Sequence, residues 1–132
     1  ADPKVKIVFK EFPIFGADSE ATAKVALAAA KQGKYWEVHK GLFEHEGKLN
    51  EEAALSVAQG LGLDMTKLKA DMGSPETLKE IDDTKKLAES LGIQGTPHFF
   101  VGEKVIPGAP EDLFDQLQTR IADVRKSGCS IC

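Results

Sequence analysis

The sequence predicts a mixed α/β domain, and three observations carry that expectation. The chain opens on a segment that alternates apolar and polar residues. A long run of helix signals follows with no strand among them. Two short apolar segments around a glycine turn and a closing amphipathic helix then complete it. At 132 residues the chain is the size of one domain with a substantial core.

Val5-Lys6-Ile7-Val8-Phe9-Lys10-Glu11-Phe12 places Val5, Ile7 and Phe9 on one face and reads as a strand stopped by Pro13. Residues 14–17 read as a loop. Asp18 or Ser19 then caps a helix that runs through Val25 and Leu27 to Gln32, with Gly33 at its end. Tyr35 to Glu44 is a second helix, rich in aromatic residues and broken by Gly47. Asn50 caps a third over 51–59, closed by Gly60, and Asp64 opens a fourth that reaches Met72. Ser74-Pro75-Glu76 combines an N-cap, a proline at the first helical position and an acid in the first turn, so a fifth helix starts there. Leu78, Ile81, Ala88 and Leu91 are its expected apolar stripe, and Gly92 ends it. Trp36, Phe43 and residues 61–63 are expected in the core of this helical region. Beyond it, His98-Phe99-Phe100-Val101 and Lys104-Val105-Ile106 flank Gly102-Glu103 as a β-hairpin. Ala109-Pro110-Glu111 opens a last helix with a stripe of Leu113, Phe114, Leu117, Ile121 and Val124, and Gly128 closes it.

Composition narrows the function. Seventeen basic side chains against twenty-one acidic ones leave a net charge of −4, which argues against nucleic acid or an anionic membrane as the main partner. No run approaches the ~20 apolar residues of a membrane span. The opening Ala1-Asp2-Pro3-Lys4 lacks the basic start and apolar stretch of a signal peptide, as a mature or shortened chain also would.

Gly95-Thr96-Pro97 leading into the hairpin and then a closing helix resembles the second half of a thioredoxin fold. With the segment Phe9-Lys10-Glu11-Phe12-Pro13, the helical insertion and the junction Lys31-Gln32-Gly33-Lys34-Tyr35-Trp36-Glu37-Val38-His39, the chain resembles the DsbA family of thiol–disulfide oxidoreductases over residues 5–125. The resemblance implies a thioredoxin-like fold whose first strand, Cys-x-x-Cys motif and first helix are missing here. Residues 1–132 are then one partial domain. Its parts are a loop and helical insertion (13–92), a proline loop, hairpin and closing helix (93–128), and a tail (129–132). The absent strand would lie between 5–12 and 98–101, so those two must close up or another segment must fill the gap.

By itself Pro97 is a trans-proline in a helix-to-strand connection. The resemblance implies instead a cis Thr96–Pro97 bond that leaves the Thr96 backbone free to pair with an extended peptide. Gly95, Thr96, Pro97 and His98 are thus the candidate substrate-binding residues. His98 either lines a peptide groove or is a half-exposed strand position.

Cys129 and Cys132 are the chain's two cysteines. Three readings stand: a mobile tail with an incidental disulfide, an auxiliary redox or resolving pair, or half of a zinc or copper(I) site. The pair follows a helix C-terminus, where the dipole disfavours a thiolate, so it is not the expected principal dithiol. His39 and His45 are poorly spaced as metal ligands, and no metal is expected. Glu51-Glu52 and Asp82-Asp83 read as solvated faces.

The resemblance implies thiol–disulfide exchange with cysteine-containing polypeptides, no organic cofactor, a redox partner protein and an oxidising periplasm or cell envelope. A strand-swapped homodimer would satisfy the unpaired strands. This chain alone is expected to be inactive or weak. The alternatives are a non-catalytic peptide-binding module and a glutathione-using isomerase or transferase of the same fold.

Overall fold

The computed structural model describes residues 2–130. Among the described residues, six helices and two strands occur in the order α1 (Gly16–Ala30), α2 (Tyr35–Phe43), α3 (Glu51–Gly60), α4 (Met65–Met72), α5 (Pro75–Ser90), β1 (His98–Val101), β2 (Lys104–Pro107) and α6 (Leu113–Ser127). The chain divides into two compact units, residues 1–87 and 88–132, with α5 running across the boundary.

In the first unit α1 is packed on by α2, α3 and α4. The chemistry of α1 explains this. Ala26, Ala28, Ala29 and Val25 are buried, and small side chains let neighbouring helix backbones approach closely. Val38, Ala54, Ala58, Leu63, Leu68 and Met72 complete the core. Ala23, Leu27 and Ile81 form a second buried cluster between α1 and α5.

Polar contacts fix the helix ends. The Asn50 side chain accepts from the Ala53 N–H and that of Asp64 from the Lys67 N–H, so both expected N-caps form. Gln32 grips Asp64 at both backbone groups: its Nε2 donates to the Asp64 carbonyl at 3.0 Å, and its Oε1 accepts the Asp64 N–H at 2.9 Å. Lys31 donates to Ser74 Oγ at 2.8 Å and sits 3.5 Å from both Asp71 and Glu76. The end of α1 is thereby tied to the α4–α5 junction.

Several expectations need correction. Residues 5–12 form no strand, and among the described residues the sheet has two strands. A strand exists through its ladder, so an alternating segment without a paired neighbour is left as irregular backbone. Ile7 and Val8 are exposed there. Helix α1 begins earlier than expected, at Gly16 with Phe15 as N-cap and no side-chain cap bond.

The buried stripe of α5 is Thr77, Ile81, Thr84 and Ala88, while Leu78 and Leu91 are exposed. Both threonines satisfy their hydroxyls on backbone carbonyls, Thr77 on Asp71 and Thr84 on Glu80, which makes their burial inexpensive. Trp36, Phe43 and Leu61 are also exposed rather than core. Helix α6 starts at Leu113 after a turn, and none of its stripe is fully buried.

In the second unit β1 and β2 pair antiparallel, with Phe99 opposite Ile106 and Phe100 opposite Val105. Gly102 takes φ +59°, which the two-residue turn requires. Ile106 is buried and α6 packs on β1.

Candidate functional site

Gly95, Thr96 and Pro97 are exposed at the entrance to β1, and His98 is the half-buried first residue of that strand. The Thr96–Pro97 peptide bond is cis. The Pro97 carbonyl accepts the Gly108 N–H at 2.8 Å, so the loop is anchored across the end of the hairpin. His98 and Phe100 point to one face, with ring centroids 5.1 Å apart, and their cross-strand partners Pro107 and Val105 share it. Phe100 and Val105 are exposed, so this face offers an apolar surface next to the loop.

The second candidate lies at the other end of the same unit. Cys129 is disulfide-bonded and half-buried; Cys132 lies outside the described residues. Cys129 and Ser130 both lie against the hairpin turn. A Cβ placed on Gly102 would come within 3.4 Å of Cys129 Sγ and 2.9 Å of Val124 Cγ2, so the sulfur rests against the hairpin turn. The Ser130 hydroxyl also bonds the Glu103 carboxylate, and the Gly128 N–H closes α6 on the Val124 carbonyl at 2.8 Å. Among the described residues no cluster of three or more His, Cys, Asp or Glu side chains is placed to hold a metal ion.

Sequence reasoning missed a third constellation, in the first unit. Glu11, Tyr35 and His39 converge: the Tyr35 hydroxyl donates to Glu11 Oε1 at 2.5 Å, and His39 Nδ1 is 3.4 Å from that hydroxyl and 3.7 Å from Glu11 Oε1. The His39 ring is surrounded by those of Phe9, Tyr35, Trp36 and Phe43 at 4.9 to 6.0 Å. Burial first, then the bond to Glu11 and its charge, hold the Tyr35 hydroxyl far above its ordinary pKa. The signal was present in the i, i+4, i+8 spacing of Tyr35, His39 and Phe43, which puts three rings on one helix face.

The DSBA-like thioredoxin domain matches residues 1–122. The chain belongs to this family. Over 96% of its length it superposes on a thioredoxin-like oxidoreductase from Silicibacter pomeroyi, with 41% identity, a TM-score of 0.88 and 72% of that chain covered. It is also similar to Proteus mirabilis ScsC in a compact conformation, with 23% identity, a TM-score of 0.78, 96% of this chain and 69% of that one. A Na(+)/H(+) antiporter NhaA 1 of Salinispora arenicola is 28% identical over 99 residues, 74% of this chain. The chain spans 15% of that relative's length. Among the described residues no helix is long and apolar enough to cross a membrane. The fold is thioredoxin-like, helix-rich, with a small two-stranded sheet.

Proposed function

We propose that residues 1–132 are one partial domain of a DsbA-type thiol–disulfide oxidoreductase that acts on cysteines of protein substrates. The principal dithiol lies outside this sequence. Thr96 offers its backbone to an extended peptide, Gly95 keeps the approach clear, Pro97 shapes the loop, and His98 and Phe100 line the adjacent face. The observation that carries this reading is the exposed loop at 95–97, anchored on Gly108 at the head of an apolar hairpin face. Backbone pairing is tolerant of substrate sequence, as an enzyme with many protein substrates requires. Cys129 and Cys132 form an auxiliary redox pair. The disulfide at Cys129 is at home in a periplasm or cell envelope, where such bonds persist. A redox partner protein renews the oxidised state, and two copies of the chain form a strand-swapped homodimer.

Nuclear magnetic resonance of the 132-residue chain titrated with an extended, cysteine-containing peptide tests the docking loop. Amide shifts clustered at 95–100 are expected, and Pro97→Ala should remove them; shifts centred elsewhere would refute the assignment. In an insulin-reduction assay the chain alone should show little turnover. Vigorous turnover would instead move the principal chemistry to Cys129 and Cys132.

A further inference from the structure

A cleft of about 510 Å³ lies within the second unit, and its walls come from three places. Arg120, Asp123, Val124 and Ser127 form one stripe of α6, the hairpin turn supplies Glu103 and Lys104, and residues 128–130 close the third side. Two features of this cleft belong together. Arg120 Nε is buried with no hydrogen-bond partner, an expensive state for a guanidinium donor and one that an incoming acceptor would relieve. Cys129, whose sulfur is disulfide-bonded and braced on Gly102, lines the same space.

We propose that this cleft is an exchange site for a small thiol that carries a carboxylate. The carboxylate docks on Arg120, with Lys104 adding charge, and the thiol is delivered to Cys129. This rests on the reading of Cys129 as part of a redox-active pair. A guanidinium recognises a carboxylate through paired, charge-assisted bonds, and the cleft has the volume of a small-molecule site. Two carboxylates also face the cleft. Glu103 is engaged by the Ser130 hydroxyl, and Asp123 lies on the α6 wall one turn beyond Arg120.

In the exchange step the incoming thiol gives its proton to solvent and its thiolate attacks Cys129 Sγ. A new sulfur–sulfur bond forms there as the old one breaks, and the released partner sulfur leaves as a thiolate that takes a proton from water. The small thiol is oxidised to the mixed disulfide, and the protein disulfide is reduced by the same electron pair.

The test compares glutathione with 2-mercaptoethanol on the oxidised 132-residue chain at equal thiolate concentration. Disulfide opening is read by rapid alkylation and intact mass. Glutathione should open the bond about tenfold faster, the size of a charge-assisted bond, and Arg120→Gln should abolish that advantage while leaving the 2-mercaptoethanol rate unchanged. The 2-mercaptoethanol rate is the internal control, because a variant that merely unfolds accelerates both thiols. Equal rates for the two thiols, or an advantage that survives Arg120→Gln, overturn the docking site alone. A bond opened by neither thiol overturns both the site and the redox reading of Cys129. The Thr96–Pro97 loop is judged separately by its peptide titration.

Discussion

Tyr35 donates its phenolic hydrogen to Glu11, and this bond fastens residues 9–12 to α2. Because burial and the neighbouring carboxylate raise the folded-state pKa of Tyr35 above its unfolded value of about 10, the sign of the linkage is set. The contribution is fully present below pH about 10 and is lost as pH rises through the folded value. Tyr35→Phe should cost about 0.5 to 1.5 kcal/mol at pH 7 and flatten the alkaline fall in stability. Urea unfolding at pH 7 and pH 11 checks both; an unchanged alkaline slope in the variant would count against the bond.

Gly41 on α2 faces α3 at very close range, since a Cβ there would lie 2.6 Å from Val57 Cγ1. Gly41→Ala should therefore destabilise by about 1 to 3 kcal/mol despite alanine's better helix propensity. In a Val57→Ala background the same change should become stabilising by about 1 kcal/mol, because propensity is then unopposed. A double-mutant cycle by denaturant unfolding reads the reversal directly.

Gly102 and Gly33 both have positive φ, +59° and +69°, but differ in their surroundings. Gly33 opens on empty space, whereas Gly102 meets Val124 and Cys129. Gly33→Ala should cost about 1 to 2 kcal/mol, the left-handed penalty alone. Gly102→Ala should cost more and should also loosen Cys129, seen as faster disulfide opening by 2-mercaptoethanol. Equal costs at the two sites would mean that Cys129 is not braced by the turn.

On α5, Ile81 is 3% exposed and Leu78 is 44% exposed. Ile81→Ala should cost about 2 to 5 kcal/mol and Leu78→Ala well under half of that. Thermal unfolding of the pair tests which stripe is the buried one.

Those two residues also show what the sequence makes legible. Caps mark the starts of α3 and α4 well because they act locally: Asn50 and Asp64 bond their own third neighbours whatever surrounds them. Side-chain hydropathy was a poorer guide to the face of α5, because Thr77 and Thr84 carry their polar atoms to the backbone and pass as apolar. The segment 5–12 failed for a different reason. Alternation states which face a strand would bury, but a partner strand must supply the ladder. At the candidate site, Gly95-Thr96-Pro97 was visible as a motif. Arg120 beside Cys129 was not, because nothing in their spacing says that a helix stripe and a tail share one cleft.

The alanines of α1 carry an evolutionary consequence. Three helices pack around α1, and Ala26, Ala28 and Ala29 are all buried there, so a larger side chain at any of them has no room without displacing a neighbour. Divergence along this axle should be slow and correlated, with substitutions on α2, α3 and α4 following in step.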